Sequence, residues 1–326
     1  MLILRVNPNF ITKSDKEGMA PDSELSDLIA QAKEISEKRF GKEINFYYTG
    51  ADFPAVSVTG SSCALDCRHC KKKLIERLPP AKTPQDLLET CISLWKKGAA
   101  GVLITGGCTA EGKVPLAGFL GAVKKIKQET RMKVIAHTGL VDYGEAREIK
   151  EAGIDGVCVD VVGSPETTRE IYNIEIAPYD YLRTLKALQE AGIRNISPHV
   201  CVGLHFGRLH HELAALEIIS SIKPSNVVII GLTDIVGTPM EDIKINPHDF
   251  LRVLCNARLM FPDSYVSLGC ARGKGAIREE IDRLSVRAGV NNIALPTQAA
   301  YDEARKLGLT IREHKACCAL LPEELI

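Results

Sequence analysis

Cys63, Cys67 and Cys70 stand in the stretch "GSSCALDCRHCKKK" at the spacing C-x3-C-x2-C. A structural zinc site usually takes four protein ligands, often as two Cys-x2-Cys pairs, and this stretch offers no fourth thiol nearby. His69 is wedged between two of the cysteines and is badly placed to complete a zinc site. A 4Fe-4S cluster held by three thiolates instead leaves one iron open to bind a small molecule. That is the chemistry to which the spacing points.

The remaining cysteines divide by context. Cys91 in "LLETCISLW" and Cys255 in "LRVLCNARL" fall in helical patterns, where cysteine packs as a small apolar residue. Cys270 follows a strand-like run in "SLGCARGKG", and Cys317 and Cys318 are adjacent in "EHKACCALLPEELI". Adjacent cysteines are poor disulfide partners and exposed ones are oxidation liabilities, so Cys270, Cys317 and Cys318 are expected to ligate an auxiliary 4Fe-4S cluster. Cys108 and Cys201 stay open as further ligands. The alternative for all of these is a reduced, inert thiol.

Positioning such groups requires a scaffold, and the hydrophobic pattern supplies one. Eight short β-branched runs, at 55–59, 101–105, 133–137, 156–161, 195–202, 226–232, 264–269 and 291–295, alternate with amphipathic helical segments. Strands apolar on both faces and separated by helices imply a parallel sheet with right-handed crossovers. Eight strand-loop-helix units predict an α/β fold, a (β/α)8 TIM-type barrel, with its chemistry at the C-terminal ends of the strands. Cys63 to Cys70 and Cys270 fall at such ends. Residues 1–50, with the helical "DSELSDLIAQAKEISEKRFG", are expected to form an N-terminal extension packed on the barrel. The barrel then takes residues 51–326, including the cysteine-bearing C-terminal tail.

Composition narrows the class of function. Hydrophobic residues make up 45% and charged residues 25% of 326 positions, the mix of a soluble enzyme with a large core. The 41 basic and 41 acidic residues cancel, which argues against nucleic acid or an anionic membrane as partner. No apolar run reaches the ~18 residues of a membrane span, and "MLILRVNPNF" lacks the pattern of a secretory signal, so a cytoplasmic location is expected. The run Lys71 to Lys73 reads as a solvated face, or as a docking point for an acidic partner.

The three-cysteine loop directly after the first strand of an eight-unit barrel resembles the radical S-adenosylmethionine (SAM) enzymes. Their signature is the same C-x3-C-x2-C, with an aromatic residue usually preceding the third cysteine, a place that His69 fills. The resemblance implies that the open iron chelates SAM, and that one electron cleaves SAM to methionine and a hydrogen-abstracting 5'-deoxyadenosyl radical. It also implies further cofactor contacts. "LITGG" resembles the family's glycine motif, placing Thr105, Gly106 and Gly107 beside the methionyl group. Asp160 corresponds to a residue that holds the ribose hydroxyls, and Arg169 to a partner for the SAM carboxylate.

Within that superfamily, "AGIRNISPHVCVGLHFG" and "IIGLTDIVGTPM" resemble the biotin synthase-related branch. The tail cysteines depart from biotin synthase, whose auxiliary cysteines lie on barrel strands, and the C-x4-C-x5-C motif of the usual lipoyl synthase is absent. The pattern is most similar to a component of the archaeal-type two-protein lipoyl synthase. That likeness implies sulfur insertion into an octanoyl chain on a lipoyl domain or H-protein. It also implies a second radical SAM subunit and a ferredoxin or flavodoxin-type reductant. Two alternatives stand beside it: a radical SAM enzyme that rearranges or methylates a small molecule without sulfur insertion, and a non-catalytic iron-sulfur carrier or scaffold.

Overall fold

Loop residues that satisfy exposed helix ends set the boundaries of the structure. Thr83 and Asp142 each accept a hydrogen bond from a backbone N–H three residues on, at 3.1 and 2.9 Å, while Asp86 and Glu145 return the bond to the cap. The computed structural model describes residues 22–325. The chain opens with α1 (Asp22–Phe40), β1 (Glu43–Tyr47), β2 (Ala55–Ser57), α2 (Lys73–Glu76) and α3 (Pro84–Lys96). It continues through β3 (Gly101–Thr105), α4 (Leu120–Glu129), β4 (Lys133–His137), α5 (Tyr143–Glu151), β5 (Gly156–Asp160) and α6 (Pro165–Thr167). Next come α7 (Pro178–Glu190), β6 (Ile196–Val202), α8 (Glu212–Ile219), β7 (Asn226–Gly231) and α9 (Pro247–Met260). The last elements are β8 (Tyr265–Leu268), α10 (Gly275–Arg287), β9 (Asn292–Ala294), α11 (Gln298–Lys306) and β10 (Thr310–His314).

The eight runs expected to be strands form β2 to β9 in parallel succession, as the TIM-type barrel requires. Two further parallel strands extend the sheet, giving the order β10-β1-β9-β8-β7-β6-β5-β4-β3-β2. The ends of that order, β10 and β2, are not paired, so the sheet curls into a partial barrel. β10 escaped the hydrophobic pattern because it is a polar edge: "TIREH" has no buried residue, and Arg312 pairs across to Glu43 at 2.7 Å. β1 lies inside the segment read as the extension. α1 packs along α9, and Ser36 Oγ donates to the Gly289 carbonyl at 2.6 Å. Residues 1–21, including "MLILRVNPNF", lie outside the described residues.

The period of two along each strand separates two environments. Val157 and Val159 of β5 join the large core under the helices, while Cys158 belongs to a second cluster inside the curl with Ile135, Val228, Ala294, Cys318 and Leu320. Cys91 and Cys255 are fully buried in the outer core, as their helical patterns predict. No helix among the described residues is long and apolar enough to cross a membrane.

One buried ion pair ties the ends of β8 and β9 together. Arg272 and Asp282 are both 0% exposed and meet at 2.6 and 3.1 Å, and Arg272 also donates to the carbonyls of Gly269 and Ala294. Asp282→Asn leaves a buried guanidinium without its counter-charge, which costs about 3–5 kcal/mol. Anaerobic urea unfolding should show that loss. An unchanged midpoint would mean that water or a neighbour takes over the carboxylate's role.

Candidate active site

The cluster loop begins where β2 ends, and the loop after β3 closes onto it. Thr59 Oγ1 accepts from Gly107 N–H at 2.7 Å, Cys63 Sγ accepts from Cys108 N–H at 3.3 Å, and Ala64 N–H donates to the Cys108 carbonyl at 2.8 Å. Gly107 has to be glycine here: a Cβ would lie 2.1 Å from the Ser62 carbonyl and 2.5 Å from Cys63 Cβ. The expected role of the glycines was close approach to SAM. The structure adds a second, steric reason, which is that Gly107 packs directly against a cysteine of the loop. Gly106 faces Thr59 with slightly more room, and Thr105 ends β3 with its carbonyl accepting from Val58 N–H.

Cys67, His69 and Cys70 bring their ligand atoms within 4.8 Å of one another. Hydrogen bonds from Cys67 and His69 and from the Lys72 backbone pull the Cys70 thiol well below its ordinary pKa, against the effect of burial. The same Cys67–Cys70 bond, then burial, pushes Cys67 up. These bonds favour the thiolate at Cys70, and the thiolate is the form that binds metal. His69 also lies against Tyr172, ring centroids 5.4 Å apart. Cys67 Sγ reaches the Tyr172 carbonyl at 3.7 Å, and Arg68 N–H donates to the Ile171 carbonyl at 2.7 Å. Lys71 and Lys72 adopt positive φ, 43° and 66°, turning the chain sharply after Cys70, and Lys71 pairs with Asp66 at 2.6 Å. Three thiols on one loop, with a backbone N–H aimed at Cys63 Sγ, suit a three-thiolate cluster.

Asp160 ends β5 exposed, on the same strand parity as Cys158. Its charge acts on His137, His199, Cys201, Tyr172 and Cys108, so it sits among the groups that surround the C-terminal ends of the strands. Arg169 stands apart, 58% exposed and 3.9 Å from Glu175. Cys108 belongs to the cluster loop's surroundings, and Cys201 to those of Asp160 and Glu212.

The tail cysteines enter from the opposite end. After β10 the chain turns under the sheet, and its carbonyls are held by side chains around the starts of β6 and β7 and by Tyr47 at the end of β1. Asn226 Nδ2 donates to Cys318 O at 2.8 Å, Asn195 Nδ2 and Ser197 Oγ to Ala319 O at 2.9 and 3.2 Å, and Tyr47 Oη to Leu320 O at 3.0 Å. A hydrogen bond from Cys318 and the Ala319 N–H favours a thiolate at Cys317 against its burial, and the shared bond pushes Cys318 up. Cys270 keeps accessible surface although protein surrounds it; burial, then Cys317, raises its thiol pKa.

Cys158 is the residue that the sequence reading missed. It is buried on the inner face of β5, where burial and then the charges of Cys317, Asp160 and Cys270 push its thiol up. Cys318 feels Cys317, Cys270 and Cys158 in turn. The signal was present: Cys158 stands two residues before Asp160, so a strand that turns Asp160 inward turns Cys158 inward too. On its other side are two imidazoles, with ligand atoms of His137, Cys158 and His199 within 4.8 Å of one another. Burial lowers both histidines, His199 to about 4, so both are uncharged at neutral pH. His199 Nδ1 donates to the Ser197 carbonyl at 2.9 Å, which leaves Nε2 free.

Comparison with known proteins agrees with this geometry. The Radical SAM superfamily matches residues 57–216, starting at the strand that leads into the three-cysteine loop. The chain carries a radical SAM domain. The Biotin and Thiamin Synthesis associated domain matches residues 228–312, from within β7 to within β10. Biotin synthase of Buchnera aphidicola is 27% identical over 278 residues, covering 82% of this chain and 76% of that protein. Biotin synthase of Anaplasma marginale is 29% identical over 324 residues, covering 92% and 94%. Over most of its length the chain is thus similar to biotin synthases. Among solved structures, methylornithine synthase superposes with a TM-score of 0.63 at 16% identity, covering 94% of each chain. The FeFe-hydrogenase maturase HydG from Carboxydothermus hydrogenoformans gives 0.64 at 18%, covering 84% of this chain and 64% of that one. Both show the fold. The cofactors are a 4Fe-4S cluster and SAM.

Proposed function

We propose that this enzyme inserts sulfur into unactivated C–H bonds of an aliphatic acyl chain, with Cys158, Cys270, Cys317 and Cys318 holding an auxiliary iron-sulfur cluster. The observation that carries the reading is that Cys158, Cys317 and Cys318 share the inside of the curl, with Cys270 following β8 within electrostatic reach of all three. Four cysteines form the usual donor set of an iron-sulfur cluster. When bound, such a cluster supplies sulfide for transfer. The chain's own part is to hold it: Asn195, Ser197, Asn226 and Tyr47 anchor the tail backbone, and Arg272 fixes the loop that carries Cys270. In this reading His69, Thr105, Gly106, Gly107 and Asp160 border SAM, and Arg169 reaches its carboxylate only by turning away from Glu175.

The interior wall suits a hydrocarbon. Leu103, Ile135, Val228, Ile230 and Ala294 line the inner cluster. The substrate in this reading is an octanoyl chain on a lipoyl domain or H-protein, with a second radical SAM subunit sharing the work and a ferredoxin or flavodoxin-type protein supplying electrons. The names of the relatives favour a second reading, sulfur insertion into a biotin precursor.

One experiment separates the two. Reduced protein and SAM are incubated anaerobically with the octanoylated domain or with the biotin precursor, and the products are weighed by mass spectrometry. A sulfur atom added to the octanoyl chain supports the first reading, and sulfur added only to the precursor supports the second. Formation of 5'-deoxyadenosine with no sulfur in either product would sink sulfur insertion.

A further inference from the structure

Glu166, His205 and His210 place one carboxylate and two imidazoles together beyond the C-terminal ends of β5 and β6, apart from both cysteine sets. Their ligand atoms lie within 4.8 Å of one another. We propose that these three side chains bind a divalent transition-metal cation of the zinc class, which pins α6 to the loop after β6.

The spacing is compatible with coordination as well as with an ion pair. His210 Nε2 is buried and lies 3.2 Å from Glu166 Oε2, without the alignment of a good hydrogen bond. Two ligands of a tetrahedral zinc, each bonded at ~2.0–2.1 Å, stand about 3.3 Å apart. The observed separation is therefore close to one edge of such a tetrahedron. His205 carries the support that metal-bound histidines usually have. Its Nδ1 is 3.2 Å from Thr167 Oγ1, which orients the ring and leaves Nε2 for the cation. The rings of His205 and His210 stack at 4.1 Å and 22°, so one ring turns out of the stack for both nitrogens to face a single cation. Imidazole and carboxylate together suit zinc and its neighbours in the first transition row.

The loop is built to hold this arrangement. Buried Glu212 accepts from Gly203 N–H at 2.9 Å and from His210 N–H at 2.6 Å, clamping the base of the loop. Phe206 and His211 are held at positive φ, 53° and 69°. Gly163 lets α6 approach, since a Cβ there would lie 2.1 Å from the His211 carbonyl. Both segments also brace the cluster loop: Arg68 stacks over Phe206 at 6.0 Å and bonds to Ile171, just beyond α6. A cation at Glu166, His205 and His210 stiffens that support without touching the cysteines.

Zinc itself is the probe. Protein with its iron-sulfur clusters reconstituted is equilibrated anaerobically with a slight excess of Zn2+ and desalted, and metal content, chelator competition and zinc-edge X-ray absorption are measured. The expected result is about one zinc per chain with nitrogen and oxygen at ~2.0–2.1 Å and no sulfur at ~2.3 Å. Thr167→Val should weaken binding ~10–100-fold through the lost support of His205, and His210→Ala should weaken it more, with iron content unchanged in both. If His210→Ala also loses iron, Thr167→Val alone decides. A sulfur-bonded zinc, sub-stoichiometric zinc, or affinity unchanged in the deciding variants would overturn the site.

Discussion

Cys70→Ala is expected to reduce 5'-deoxyadenosine formation to background and to remove about four irons per chain from the reconstituted protein. The size of the effect follows from the loop's design. Cys70 is one of three thiols on one loop, so alanine removes one of only three protein ligands to the cluster. No other thiol takes its place: Cys108 lies nearby, but burial and the charge of Cys63 push it up to about 12. Without the cluster there is no electron path to SAM, and the rate should fall by at least the ~10^6-fold that enzymes typically supply. Iron content and chromatography of the nucleoside test this directly. Cleavage persisting near the native rate would mean that another residue completes the cluster, and the three-thiolate assignment would be wrong.

Cys317→Ala should separate the two halves of the proposed chemistry. SAM cleavage is retained at the same order of magnitude, because the cluster loop and the tail approach the interior from opposite ends of the sheet and share no hydrogen bond among the described residues. The sulfurated product disappears, and about half of the iron is lost with the auxiliary cluster. Cys158→Ala is expected to behave in the same way, since Cys158 feels the charges of Cys317 and Cys270 across the interior. The two variants discriminate between explanations. Full sulfur transfer in Cys317→Ala would remove the tail from the mechanism, whereas loss in Cys317→Ala with full iron in Cys158→Ala would leave the tail in place and assign the fourth ligand elsewhere.

Much of this was legible before any coordinates, but not all of it for the same reason. The strand-helix alternation appears in the sequence because each strand between β2 and β9 must bury both faces, and that demand leaves continuous β-branched runs. β1 and β10 left a weaker trace. β10 is an edge strand whose polar residues pair along the surface, so burial never shaped its composition.

The sequence by itself determined the three-cysteine loop. Its ligands lie within eight positions, so the backbone alone keeps them near one another whatever the rest of the chain does. The tertiary structure decided which distant groups meet. Cys158 faces the tail cysteines because the inner parity of β5 and the tail's hydrogen bonds to Asn195 and Asn226 bring together positions about 160 residues apart, a distance over which local spacing carries no information. Glu166 meets His205 and His210 for a similar reason: Gly163 permits the approach of α6, and Glu212 clamps the loop that carries both imidazoles.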